Sequence, residues 1–217
     1  MNKKILRFVP FFLTLLFSCS DSLPAIADVK LMPVFEFDSE NGRPLMYVYL
    51  LAQVSSNLDF ADSLRLTQTE TGYVWNIENP ITLDSQIDVW LGSPPIMPYD
   101  QGKGFLPGSY RVSYIDTSGR TTERGVTFSY PSELRTATVK TVLDLLPQTS
   151  VVRIAIYDMD DQLLFWGERN QDLQTLEGIL KRYPAAFSYR ECRVSPDNGP
   201  VILFPLVTVA TETTDVQ

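Results

Sequence analysis

The most constraining feature of this sequence is a series of short segments between residues 31 and 133 that favour β-strands. Their apolar residues alternate with polar ones or form β-branched and aromatic runs, and turn residues separate them. We predict no helix between them, and such a series is typical of an antiparallel β-sandwich. The predicted strands are 32–37, 45–54, 64–68, 73–77, 85–91, 109–116 and 121–130. The sequence therefore predicts a mainly β fold, with an antiparallel sandwich over residues 31–133.

Residues 106–120, with the sequence LPGSYRVSYIDTSGR, resemble the late hairpin of immunoglobulin-like and fibronectin-like bacterial domains. The shared features are a Pro-Gly turn, a tyrosine that enters the strand, alternating residues, and Asp and Gly in the next turn. The resemblance implies an immunoglobulin-like sandwich, a fold that binds, spaces or scaffolds other molecules without selecting one of these roles. It implies these positions: Tyr110 at the corner, Val112 and Tyr114 on its face, and Asp116 and Gly119 in the turn.

After residue 133 the pattern changes to two hairpins with one helix between them. Leucines at helical spacing, Asn170 in a capping position and Pro184 as a stop signal predict the helix. The order predicts a small α+β domain over 134–217, with an extension of the first sheet into one continuous body as the alternative. The β-branched residues of 136–143 favour a strand over a helix. The other predicted elements are strands 150–158 and 162–168, a helix over 171–183, and strands 185–194 and 201–210.

Residues 1–27 are typical of an export signal with two alternative cleavage sites, and an uncleaved segment is the third alternative. Three basic residues precede the apolar segment 8–17, which is half the length of about twenty residues that a membrane-spanning helix needs. Residues 16–19, Leu-Phe-Ser-Cys, resemble the lipobox of bacterial lipoproteins, although Phe17 stands where that family usually has a smaller residue. The second site, after Ala27, lies farther from the apolar segment than signal peptidases usually accept, and cleavage there would release the protein.

The lipobox resemblance implies a signal peptide over residues 1–18, acylation of the Cys19 thiol and a tether over residues 19–30. Ser20, rather than an aspartate, follows the cysteine, which favours the outer membrane, on its periplasmic or outer side. The predicted localisation is therefore a lipid-anchored protein of the cell envelope, with the membrane as its partner through Cys19.

The composition excludes several classes of function. The chain contains no histidine, which excludes Ser-His-Asp and Cys-His catalysis and every zinc site that needs an imidazole. Removal of residues 1–18 changes the formal net charge from −8 to −11, so we expect no nucleic-acid partner. The two cysteines allow no disulfide in the mature chain after either cleavage. We predict no cofactor, no metal site and no catalytic residue.

Residues 92–108 form a long connection rich in proline and glycine, and they supply the predicted interaction residues. Long structured loops on a β-sandwich often carry binding functions. The alternative is that their apolar side chains fold back as a lid over the open end of the sandwich. The candidate residues are Ile96, Met97, Tyr99 and Phe105.

Other residues that could serve in catalysis or ligand binding have simpler structural explanations. Asp158, Asp160 and Asp161 fit a hairpin turn, because a calcium loop would need Gly and Glu where Leu163 and Arg169 stand. A lone cysteine such as Cys192 is more often a buried hydrophobic residue than a nucleophile. No spacing rule selects a carboxylate pair for a hydrolase among the 26 acidic residues. Three tryptophans fit core packing or a sugar-binding face: Trp75, Trp90 and Trp166.

These observations predict a lipid-anchored, non-enzymatic protein that binds or scaffolds another protein of the cell envelope. The alternative is an accessory carbohydrate- or solute-binding lipoprotein that uses Trp90 and the 92–108 loop. An exposed aromatic surface would favour the alternative, and an acidic cleft would favour a hydrolase.

Overall fold

The computed structural model describes residues 24–55, 60–84 and 89–209, and this part of the chain is mainly β, as predicted. Residues 1–18, predicted as a signal peptide, and Cys19 lie outside the described residues. Within them there are thirteen strands and one α-helix. The elements are β1 (Ile26–Glu36), β2 (Leu45–Val54), β3 (Ala61–Gln68), β4 (Val74–Glu78), β5 (Ile81–Asp84), β6 (Val89–Gly92), β7 (Gly108–Asp116), β8 (Thr121–Phe128), β9 (Val151–Tyr157), β10 (Leu163–Glu168), α1 (Leu176–Arg182), β11 (Ser188–Val194), β12 (Val201–Leu203) and β13 (Val207–Thr208).

The strands form two sheets. The large sheet has the order β10-β9-β11-β12-β1-β2-β6-β5, with β13 paired to β11, and it curls into an open half-barrel. The small sheet has the order β4-β3-β7-β8. The large sheet combines strands from both sides of residue 133, so it runs across the domain boundary predicted there.

One strand pair of the large sheet is parallel and joins the two predicted domains, while the recorded pairs within residues 31–133 are antiparallel, as predicted. β1 and β12 are parallel, and Val34 lies opposite Val201 while Glu36 lies opposite Leu203. Parallel neighbours need a long connection between them, and here the connection contains the whole small sheet and β9 to β11. The large sheet is therefore mixed rather than antiparallel.

The strand β1 begins inside the segment predicted as a tether over residues 19–30. Ile26 lies opposite Val54 of β2, and Val29 and Leu31 are buried while Asp28 and Lys30 beside them are only half-buried. This alternation places one face of β1 on the core. Residues 26–30 are therefore part of the sheet, and the tether predicted there is shorter than expected.

The main core lies between the large sheet and the small sheet. Phe35, Val48 and Leu50 contribute from the large sheet, and each is fully buried. Leu66 and Tyr114 from the small sheet belong to the same hydrophobic cluster.

The segment predicted as a strand over residues 136–143 instead contains turns and the start of a 3₁₀ helix, Val142–Leu145.

The hairpin β7–β8 has the local features that its sequence predicts. Tyr110 is 2% exposed, and its hydroxyl donates a hydrogen bond of 2.7 Å to the Leu106 carbonyl, four residues upstream. Asp116 ends β7 and accepts hydrogen bonds from the backbone of Ser118 and Arg120. Burial alone would raise the pKa of Asp116, but these bonds and the Arg120 guanidinium hold that pKa below its ordinary value.

The helix predicted over residues 171–183 is divided in two. The Asn170 side chain accepts from the Leu173 amide and caps a 3₁₀ helix, Gln171–Leu173. The Thr175 side chain then accepts from the Gly178 amide and caps α1. This second cap begins a new helix, because an N-cap residue has extended backbone angles.

None of the described helices is long and apolar enough to cross a membrane.

Candidate functional site

The four candidate residues of the 92–108 loop divide into two buried and two exposed side chains. Ile96 is 6% exposed and its backbone pairs with Val48 of β2, with N–H···O distances of 2.9 and 3.0 Å. Phe105 is 2% exposed, and its carbonyl accepts a hydrogen bond of 2.6 Å from the Tyr130 hydroxyl. Ile96 and Phe105 are therefore turned into the protein, while Met97 and Tyr99 stay on the surface.

The exposed part of the loop meets the beginning of β4 in an aromatic surface. Tyr73 is 46% exposed, Met97 43% and Tyr99 61%, and Trp75 lies half-buried among them. The Tyr99 ring centroid is 4.8 Å from that of Tyr73 and 5.0 Å from that of Trp75. We name these four residues, Tyr73, Trp75, Met97 and Tyr99, the Tyr99 surface.

Two hydrogen bonds fix the Tyr99 surface to the edge of the small sheet. The Tyr99 hydroxyl donates to the Val74 carbonyl, and the Trp75 indole N–H donates to the Met97 carbonyl at 2.9 Å. β4 is an edge strand, and the neighbouring Tyr73 carbonyl already accepts from Gln68 on the β3 side. Alternate carbonyls of a strand point to opposite sides, so the Val74 carbonyl faces outward and is free to receive Tyr99.

The Tyr99 surface rests on a column of aromatic rings that reaches the core. The Trp75 ring lies 4.9 Å from Phe105, which lies 6.2 Å from Phe128. Phe128 in turn lies 5.5 Å from Tyr130. Offset and edge-on aromatic pairs at such distances are favourable beyond the area that they bury. The exposed rings are therefore held by the packed interior rather than by the loop alone.

Sequence reasoning selected Met97 and Tyr99 but missed Tyr73 as their neighbour. The available signal was the spacing of Tyr73 and Trp75, which places both side chains on the same face of β4. The other two tryptophans lie apart from the Tyr99 surface in the strand order. Trp90 is half-buried on β6 under the Lys30 ammonium, 4.4 Å from the ring centroid, and Trp166 is 42% exposed on β10.

The aspartates of the β9–β10 hairpin are engaged in their own turn. One Asp158 carboxylate oxygen accepts from the amides of Asp160 and Gln162 at 3.0 and 2.8 Å. Asp161 has a positive φ of 58°, which a tight turn requires. This geometry is that of a hairpin turn, as the sequence indicated.

Cys192 is fully buried on β11. Burial raises the pKa of its thiol to about 12, so the thiol is neutral at physiological pH. A neutral buried thiol is not a nucleophile, which agrees with the prediction of a small hydrophobic residue.

A polar cluster on the large sheet joins side chains of β1, β2 and β11. The Arg190 guanidinium lies 2.5 Å from one Glu36 carboxylate oxygen, and the Tyr47 hydroxyl donates to the other at 3.0 Å. Burial alone would lower the pKa of Arg190, but Glu36 raises it. Burial raises the pKa of Tyr157. The charge of Arg190 lowers this pKa and the charge of Glu36 raises it, and both effects are smaller than that of burial. We name Glu36, Tyr47, Tyr157 and Arg190 the Glu36–Arg190 cluster.

Among residues 24–55, 60–84 and 89–209 there is no group of three or more Cys, Asp and Glu side chains arranged to hold a metal ion. The described residues therefore include the exposed Tyr99 surface and the half-buried Glu36–Arg190 cluster. The chain matches no model of a known protein family and no curated protein with which it was compared.

Proposed function

We propose that this chain is a lipid-anchored, non-enzymatic component of a bacterial cell envelope that binds another envelope protein through the Tyr99 surface. Aromatic residues and methionine are enriched at protein interfaces, and clusters of them supply most of the binding energy. The Tyr99 surface has three such side chains exposed, and its Tyr99 and Trp75 rings are held in place by hydrogen bonds and by ring packing that includes Tyr73. A surface fixed before binding loses little conformational entropy when a partner binds.

The observation that carries the proposed anchor is the way residues 24–27 are built into the fold. Ile26 is 7% exposed in the main core, and Pro24 is also buried. The Ala25 carbonyl accepts from the Ser55 amide at 2.9 Å, and the Ile26 carbonyl accepts from Arg124 at 3.2 Å. Cleavage after Ala27 would remove all of these contacts, whereas cleavage before Cys19 keeps them. This favours the lipobox site over the secretory site.

The proposed anchor also places the folded part close to the membrane. β1 begins at Ile26, seven residues after Cys19, and an extended chain of that length spans about 25 Å. We further propose that the outer membrane carries the anchor, because Ser20 follows the cysteine. The protein would therefore act on partners close to the bilayer surface.

We propose that residues 31–133 form an immunoglobulin-like sandwich. The support is the Tyr110 hydroxyl, which bonds to the Leu106 carbonyl in the manner of the tyrosine corner of immunoglobulin-like domains. The parallel pair β1–β12 departs from that fold.

The alternative function is carbohydrate binding, and one observation favours it: aromatic rings with an exposed face also stack on sugars. Against it, the Tyr99 hydroxyl and the Trp75 indole N–H are already engaged within the protein. Sugar sites also need polar groups that reach the ligand hydroxyls. We therefore prefer a protein partner.

The variant Cys19→Ala tests the anchor. We expect the parent to enter the detergent phase of a phase-partition assay and the variant to stay in the aqueous phase. Each buried methylene of an acyl chain contributes about 0.8 kcal/mol, so loss of two or three chains removes the binding to the membrane. Cys192→Ala is the matched control, because that buried thiol is unavailable for acylation, and it should partition like the parent. Detergent partitioning of Cys19→Ala like that of the parent would refute the anchor.

A further inference from the structure

We propose that the Tyr99 surface recognises a cationic side chain, arginine or lysine, in a basic segment of its protein partner. This inference rests on the proposed function and names the chemistry of the partner. Its first support is that two polar side-chain atoms of the surface are already engaged within the protein. The Tyr99 hydroxyl and the Trp75 indole N–H bond to backbone carbonyls, so the ring faces, the Met97 thioether and the edge of Tyr73 are what the surface offers to a partner.

The second support is the exposed ring of Tyr99. The face of an aromatic ring carries a partial negative charge and attracts a cation placed above it. Tyr99 is 61% exposed although its hydroxyl is tied down, so the ring is held in one orientation. The chain already uses this interaction elsewhere, because the Lys30 ammonium lies 4.4 Å from the centroid of the Trp90 ring.

The third support is charge complementarity. The chain has a formal net charge of −8, and Asp100 follows Tyr99 directly, with its side chain 53% exposed. One Asp100 oxygen lies 3.7 Å from Lys103, an exposed pair of little strength that a cationic partner would displace at low cost. Acidic charge and aromatic faces together favour a basic segment over a neutral sugar or an acidic peptide.

The test uses the purified mature protein in detergent and three synthetic probes. The first probe is a nine-residue Gly/Ser peptide with a central Arg-Gly-Arg, the second replaces both arginines with neutral citrulline, and the third is a neutral glucose tetrasaccharide. We expect the arginine peptide to bind the parent protein. The variant Tyr99→Leu should have about fivefold lower affinity for this peptide. Tyr99→Phe keeps the ring but loses the hydroxyl bond to the Val74 carbonyl, so it should bind more weakly than the parent and more tightly than Tyr99→Leu.

Trp166→Leu is the matched control, since it removes an exposed aromatic ring on β10 without a change of charge. It should leave the affinity for the arginine peptide unchanged. Arginine-peptide binding that is absent, or that does not depend on the Tyr99 ring, would overturn the inference. If the citrulline peptide binds as tightly as the arginine peptide, and its binding also depends on Tyr99, the cationic specificity is wrong. The proposed protein-binding function would then remain supported. If the tetrasaccharide is the only probe that binds, and its binding depends on Tyr99, then both the cationic specificity and the proposed protein-binding function are wrong.

Discussion

The variant Phe105→Ala is expected to melt about 10 °C below the parent, because Phe105 joins the loop to the core. Its side chain is 2% exposed and packs between the rings of Trp75 and Phe128, at centroid distances of 4.9 and 6.2 Å. Removal of a buried phenylalanine side chain costs about 3 kcal/mol or more. In a folded chain of this size, that corresponds to about 10 °C in the melting temperature measured by circular dichroism.

The matched control for Phe105→Ala is Met97→Ala in the same loop. Met97 is 43% exposed, so its removal should shift the melting temperature by less than about 2 °C. If Phe105→Ala also melts within about 2 °C of the parent, Phe105 is not part of the core. The structural basis of the Tyr99 surface would then be wrong, since Trp75 would lack its support.

The variant Arg190→Met is expected to destabilise the protein by about 2 kcal/mol. It removes the guanidinium that lies 2.5 Å from Glu36 and leaves the carboxylate with the Tyr47 hydroxyl. Removal of one partner of a fully buried ion pair lowers the free energy of unfolding by about 3–5 kcal/mol. The expected loss is smaller here because both side chains of the pair keep some contact with solvent. The Arg190 and Glu36 side chains are 15% and 23% exposed. Urea denaturation gives the free energy of unfolding directly.

Two further variants isolate the cost of the unpaired charge. The double variant Arg190→Met/Glu36→Gln should recover at least half of the lost stability, because glutamine is neutral and still accepts from Tyr47. Arg111→Met is the matched control, because the ion pair of Arg111 with Glu123 is about half exposed and worth about 0–1 kcal/mol. A double variant no more stable than Arg190→Met would show that lost packing, rather than charge, causes the effect.

The sequence predicted the local parts of the fold because hairpin strands leave their signal in adjacent residues. β3 and β4 are joined by the predicted turn, in which Gly72 has a positive φ of 71°. The β7–β8 and β9–β10 hairpins were predicted on the same basis. The parallel pairing of Val34 with Val201 was not predicted, because it joins residues far apart in the sequence and has no local pattern.

Two predictions failed because side-chain hydrogen bonds outweighed periodicity. The Thr175 side chain caps α1 and ends the preceding turn, although leucines continue at helical spacing through that point. In the segment 136–143, the Thr141 hydroxyl accepts from the Thr138 amide and supports a turn where β-branched residues indicated a strand. Threonine favours both strands and turn-forming bonds to the backbone, and only the tertiary structure decides between them.

The candidate site was predicted in composition but not in arrangement. The loop contains the two exposed residues Met97 and Tyr99, as the interaction hypothesis requires, and the two buried residues Ile96 and Phe105, as the lid alternative requires. Which apolar residue of a loop turns inward depends on the space available in the core, here between Trp75 and Phe128. No spacing rule in the sequence describes that space.

The most direct test of the central claim, that Cys19 anchors the folded protein to a membrane, is mass spectrometry of the purified mature chain. We predict an amino terminus at Cys19 that carries two or three acyl chains, so that residues 24–27 keep their contacts with the folded part. An unmodified amino terminus at Asp28 would contradict the account, because the anchor and the first contacts of β1 would both be absent.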